Sequence, residues 1–274
     1  MKAFIAILAL LLFVGTSTSL ANPIRIAVID TGINLSLINK ISLCKSGHRD
    51  FTNTGIRDTH GHGTHVSGLI EQYANTNKDS YCQVILKYYS GSANDKSSRY
   101  NNQKNTNQAL RWAITIGVNV INYSSGGFNY DIEEASLIKM ALDNHIVVVV
   151  AAGNYGYELG IDKQYARYYP AMYDTRIIVV GNLDKSNHAH PTSNYGVIVN
   201  RWEVGTDVFS YCHKSISKSC CMTGTSQATA IASGKIIDYL LNNHSLSTIN
   251  VRYRGGNYET KNKRFIFKNL SKEK

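Results

Sequence analysis

The polar and apolar positions of this chain fall into short, dense runs rather than a long periodic pattern. Ile24-Arg25-Ile26-Ala27-Val28-Ile29 is an apolar, β-branched run that stops at Asp30-Thr31-Gly32. Val84-Ile85-Leu86-Lys87, Val118 to Tyr123, Ile146 to Val150 and Ile177 to Gly181 repeat the design. Runs without alternation are expected of strands buried on both faces, as in a parallel sheet covered by helices. Helical spacing appears between them, with Leu110, Ala113 and Ile114 marking a helix over 107–116 and a second amphipathic stretch over 132–144. Val208 to Met222 reads as a hairpin, and the small residues from Ser226 to Gly234 predict a closely packed helix. The chain is therefore expected to be α/β, with a mostly parallel central sheet and helices on both faces.

The two ends read differently. Lys2 followed by the apolar run Phe4 to Val14 and by Ser19-Leu20-Ala21 has the form of a secretory signal peptide over 1–21. That run is too short to span a bilayer, which takes about 20 residues, and no later stretch approaches that length. The expected organisation is a signal peptide over 1–21, a single globular domain over 22–250 and a basic arm or tail over 251–274. The expected location is secreted or periplasmic, with no integral membrane segment after cleavage.

Export makes the five cysteines interpretable as a disulfide framework. The expected bridges are Cys44 with Cys82, and Cys212 with either Cys220 or Cys221, leaving one thiol over. The formal charge of +10 would suit an anionic partner. The sequence has no zinc finger, aromatic RNA-binding signature or basic helix, so the charge reads as a solvated face and no nucleic-acid partner is expected.

Three stretches carry chemistry. Asp30 ends a buried strand, and ligands and catalytic groups of parallel sheets collect beyond the strands' carboxyl ends. His60-Gly61-His62-Gly63-Thr64-His65 opens a helix. It lacks the His-Glu-x-x-His pattern of a zinc site, so His62 is read as a lone imidazole base and His65 as packing, with no metal assigned. Gly224-Thr225-Ser226 sets a hydroxyl at a helix N-terminus, where unpaired N–H groups favour developing negative charge.

Taken together, Asp30-Thr31-Gly32, His62-Gly63-Thr64-His65-Val66 and Gly224-Thr225-Ser226 resemble the three signature blocks of the subtilisin-like serine proteases, in that family's Asp, His, Ser order. The likeness covers roughly residues 24–245. It implies a three-layer subtilisin-like fold and a serine endopeptidase with Asp30, His62 and Ser226 as its triad. It also implies that Asn154, after Ala151-Ala152-Gly153, donates to the oxyanion, and that Ser124, Ser125 and Gly126 line the substrate. Tyr169-Pro170 resembles the family's Tyr-Pro element, and Tyr168 would close the base of the primary pocket, with a polar, loop-like rim over 91–105.

Departures from the family pattern are Gln227, Ala230 and Ile231, where Met, Pro and His are usual. Asn22 and Pro23 alone separate the expected cleavage point from the first strand, which predicts synthesis without a zymogen step. No cofactor is expected. No calcium site is readable, although carbonyl ligands would leave no trace in a sequence. Protein or peptide substrates and a monomeric state complete the expectation. The rival reading is a protease-fold binding protein with little turnover.

Overall fold

The structure, a computed structural model, describes residues 22–74, 80–89, 96–160, 167–242, 258–261 and 264–267. The expected signal segment 1–21, the rim residues 91–95 and most of the expected basic tail lie outside the described residues. Seven parallel strands form the central sheet: β1 (Ile24–Asp30), β2 (Arg49–Asp50), β3 (Tyr81–Lys87), β4 (Val120–Tyr123), β5 (Val147–Ala151), β7 (Ile178–Leu183) and β9 (Arg201–Val204). Their order is β2-β3-β1-β4-β5-β7-β9. A minor parallel pair joins β6 (Glu158–Leu159) to β8 (Tyr195–Gly196).

Both faces of the sheet are covered, which is why its strands read as continuous apolar runs. Ile26 and Val28 of β1 point to a layer holding Val66, Leu69 and Ile70 of α1 (His62–Ala74), with Ile231, Ile236 and Ile237 of α4 (Thr225–Leu241). Ala27 and Ile29 point the other way, toward Leu110 and Ala113 of α2 (Lys96–Thr115) and Leu137 and Ile138 of α3 (Ile132–Asp143). The fold is thus the expected three-layer α/β arrangement. Ala230 and Ile231, the residues that depart from the family pattern, are buried in the layer between sheet and helices.

Two details differ from the sequence-based expectation. The stretch expected to be loop-like up to residue 105 is already helical from Lys96, because α2 begins in a polar, Asn-rich segment with no apolar periodicity. Strand β9 also escaped notice, since its Glu203 breaks the apolar run. That carboxylate is matched in place by Arg201 and by Lys235 of α4 at 2.7 Å.

The hairpin β10 (Val208–Cys212) to β11 (Ser215–Met222) packs beside α1 and leads into α4. Its bridge is Cys212–Cys220, which resolves the two alternatives and leaves Cys221 as an exposed free thiol. Cys44–Cys82 forms as expected. Within 251–274, Tyr258–Lys261 pairs antiparallel with Arg264–Phe267.

The two bridges close loops of unequal length, with separations of 38 and 8 residues. On chain-entropy grounds, losing Cys44–Cys82 should cost about 4 kcal/mol and losing Cys212–Cys220 about 2.5 kcal/mol. Denaturant unfolding of the two Cys→Ser double variants checks this order. Equal losses would contradict it.

Candidate active site

The site forms where β1, β4 and β5 end and α1 and α4 begin. Asp30, at the carboxyl end of β1, is 3 % exposed. Its Oδ1 accepts the Thr31 N–H at 2.8 Å, and its carboxylate lies 2.8 and 3.0 Å from His62 Nδ1. A carboxylate can only accept, so Nδ1 carries the proton and the neutral ring presents a lone pair at Nε2. Burial of the imidazole lowers its pKa. The Asp30 charge and hydrogen bond, with a further contribution from the Asp58 charge, more than offset this and raise it above the ordinary 6.5.

His62 is placed by the residues that join β1 to α1. Thr31 Oγ1 accepts the Gly63 N–H at 2.8 Å and donates to Asp58 Oδ1 at 3.0 Å. Asp58 also accepts from the N–H groups of His60, Gly61 and Thr64 and from the Thr64 hydroxyl. Burial would raise the Asp58 pKa, but the Thr64 hydroxyl and those three N–H groups together hold it below its ordinary value. Gly63 must lack a side chain, because a Cβ there would stand 2.4 Å from the Gly32 carbonyl oxygen and 3.1 Å from Asp30 Oδ1. His65 is fully buried, with Nε2 on the Cys220 carbonyl at 3.0 Å, and burial lowers its pKa. It ties α1 to the β10–β11 hairpin. Among the described residues, no group of three or more His, Cys, Asp or Glu is arranged to hold a metal ion.

Ser226 is the second residue of α4, where helix geometry leaves N–H groups unpaired. Its hydroxyl donates to the Ser124 carbonyl at 2.9 Å, and Ser124 Oγ donates back to the Ser226 carbonyl at 3.1 Å. Among the described residues it makes no hydrogen bond to His62, so attack requires Oγ to turn about χ1. Ser124 Oγ accepts from Asn122 Nδ2, and Asn122 Oδ1 accepts from Ser233 Oγ, both at 3.0 Å. This buried polar column, which fixes α4 over β4, was not foreseen from the sequence.

Asn154 follows β5 and is exposed. Its Oδ1 accepts from the Thr225 N–H at 2.9 Å and from the Thr225 hydroxyl at 3.0 Å. A backbone N–H only donates, so this fixes the amide's orientation and leaves Nδ2 as a donor beside the start of α4. Asn194, also missed, shapes the same turn. It donates to the Ala152 carbonyl and accepts the N–H groups of Tyr155 and Tyr157.

Ser124, Ser125 and Gly126 continue β4 and line a cavity of about 410 Å³, with Asp30 and His62 also in its wall. Ser226 and Asn154 lie outside that lining. The adjoining Gly127 exchanges two 2.8 Å backbone hydrogen bonds with Tyr169, which precedes the cis Pro170. The sequence-predicted residues thus converge on one edge of the sheet.

The profile of the Subtilase family matches residues 21–253. The chain is 29 % identical over 244 residues to Subtilisin DY from Bacillus licheniformis, covering 84 % of this chain and 81 % of that protein. It is 30 % identical over 230 residues to the major intracellular serine protease of Bacillus subtilis, covering 78 % and 67 %. Among solved structures it is similar to a lanthipeptide protease, with a TM-score of 0.70 at 20 % identity over 83 % of this chain and 78 % of that one. A cold-adapted subtilisin-like serine proteinase gives a TM-score of 0.66 at 22 % identity, over 83 % and 80 %. This chain belongs to the subtilase family, and is a subtilisin-like serine-type endopeptidase.

Proposed function

We propose that residues 22–250 form an exported, monomeric endopeptidase, released by cleavage after Ala21, in which Asp30, His62 and Ser226 cut protein or peptide substrates through an acyl-enzyme. The observation that carries this reading is the hydrogen bond between Asp30 and His62 Nδ1. It holds the one tautomer whose Nε2 can accept a proton.

In the proposed step, Ser226 Oγ turns from the Ser124 carbonyl and attacks the substrate carbonyl carbon while its proton passes to His62 Nε2. The carbonyl π pair moves onto oxygen, and the oxyanion accepts from the Ser226 N–H and Asn154 Nδ2. Collapse breaks the C–N bond as the imidazolium gives its proton to the leaving amine. Water, deprotonated by the same imidazole, then releases the acid and restores Ser226. Asp30 stays ionised throughout and stabilises the imidazolium. As a subtilase the chain needs no cofactor for this chemistry.

A fluorophosphonate probe tests nucleophile, base and oxyanion donors together. Stoichiometric labelling of the mature protein is expected, abolished in Ser226→Ala and slowed about 10²–10³-fold in Asn154→Ala. Labelling that survives in Ser226→Ala, or its absence from the folded wild type, would overturn the assignment.

The side chain that enters beside Gly126 meets Tyr168, which is 5 % exposed. A Cβ built on Gly126 would lie 2.6 Å from the Tyr168 ring, and one on Gly153 2.8 Å from it. The ring therefore fills the space between the two glycine-bearing segments that wall the primary pocket. Peptide-library profiling should favour small residues over large aromatic ones on the acyl side of the cut, by roughly tenfold, since forcing extra bulk into filled space costs about 1–3 kcal/mol. A profile led by Phe or Tyr would refute the narrowed pocket.

A further inference from the structure

The cavity that begins at Asp30 and His62 ends at a carboxylate the catalytic scheme does not use. Glu134 lines it, yet its side chain is held inside the protein and is 3 % exposed. Its place in the sequence suggests a different job. Asp131 caps α3 by accepting the Glu134 N–H at 2.7 Å, and a glutamate three residues after an N-cap usually reaches back to the cap's own N–H. Here the Tyr173 hydroxyl accepts the Asp131 N–H instead. Glu134 turns inward and accepts from Tyr123 and Tyr173, each at 2.8 Å.

With the Gln103 side chain as a third donor, the buried carboxylate has hydrogen bonds but no countercharge. An ionised carboxylate has about four acceptor sites, and buried charges are normally paired. Among the described residues, no Lys, Arg or His forms an ion pair with Glu134. The nearby Arg111 pairs with the exposed Glu133 at 2.8 Å. The described lining of the cavity contains two carboxylates, Asp30 and Glu134, and no Lys or Arg, although the chain carries a net charge of +10. Asp30 is already matched to His62. Burial is the largest influence on Glu134; hydrogen bonds from Tyr173, Tyr123 and Gln103 only partly counter it, and the Asp131 charge adds to it, so its pKa stays above the ordinary range. That is the behaviour of an anion without a cation beside it.

We infer that the cleft contains a subsite for a cationic side chain of the substrate, an ammonium or guanidinium, with the Glu134 carboxylate as its counterion. The inference rests on the proteolytic reading for its occupant, since only an extended peptide would bring such a side chain past His62 and Gly126. Tyr123 and Tyr173 orient the carboxylate, and the hydroxyl-lined wall suits a cation stripped of most of its water. The subsite selects among substrates and takes no part in bond cleavage.

The test uses the full mature chain carrying Ser226→Ala, so that peptides bind without being cut. Fluorescence anisotropy is read for a positional set in which Lys, Arg or norleucine replaces each residue in turn, at mildly alkaline pH. At one position Lys and Arg should bind at least tenfold more tightly than norleucine, and added Glu134→Gln should bring that ratio close to one. Should Glu134→Gln fail to fold, Glu134→Asp, which keeps the charge but withdraws it by a methylene, should still reduce the ratio several-fold. No basic preference at any position, or a preference unchanged by these variants, would overturn the subsite. Probe labelling separates the two readings. A labelled enzyme without the preference loses only the subsite, whereas an unlabelled chain that retains the preference loses only the hydrolytic assignment.

Discussion

The Asp58 carboxylate, sunk between the end of β1 and the start of α1, is the constraint on which the site depends. It gathers five hydrogen bonds, from the Thr31 and Thr64 hydroxyls and the N–H groups of His60, Gly61 and Thr64. Hydrogen bonds to a charged group are each worth about 1.5–3 kcal/mol net, so together they outweigh the cost of burying the charge. They also satisfy part of the unpaired N-terminal turn of α1 and place a negative charge where the helix dipole favours it. The geometry of His62 against Asp30 follows from this lock, because Thr31 and Gly63 are held between the same two elements.

The other half of the site depends on the order of the sheet. With β1, β4 and β5 adjacent and parallel, their carboxyl ends bring Asp30, Ser124 and Asn154 to one edge. Helix α4 starts at that edge and packs on the same face of the sheet as α1, pinned to β4 through Asn122, Ser124 and Ser233. Asn154 and Thr225 then grip each other across the gap. Two halves of the site therefore meet at the cleft.

How much of this could be read in the sequence follows from how local each signal is. Strands β1, β4 and β5 were legible because burial on both faces leaves an uninterrupted apolar run ending at a small or polar residue. The proposed triad was legible because each member sits in a short block whose neighbours, such as Gly63 and Gly224, are set by the same backbone geometry. Strand β9 was hidden because Glu203 is neutralised by Lys235, which lies in another element. Asn122 and Asn194 were missed for a related reason, since their partners lie far along the chain. Glu134 reads in sequence as an ordinary acidic residue in the first turn of a helix, and only the packing of Tyr123 and Tyr173 reveals its burial.

The proposed chemistry requires Asp30 to hold His62 as a proton acceptor of raised basicity. The most direct measurement is an NMR pH titration of the His62 ring carbon in the Ser226→Ala background, with and without Asp30→Asn. A midpoint above 6.5 is expected with Asp30 present. Asp30→Asn should lower it, because desolvation then acts without the compensating charge. A midpoint at or below 6.5 that does not move in Asp30→Asn would contradict the coupling on which the proposed mechanism rests.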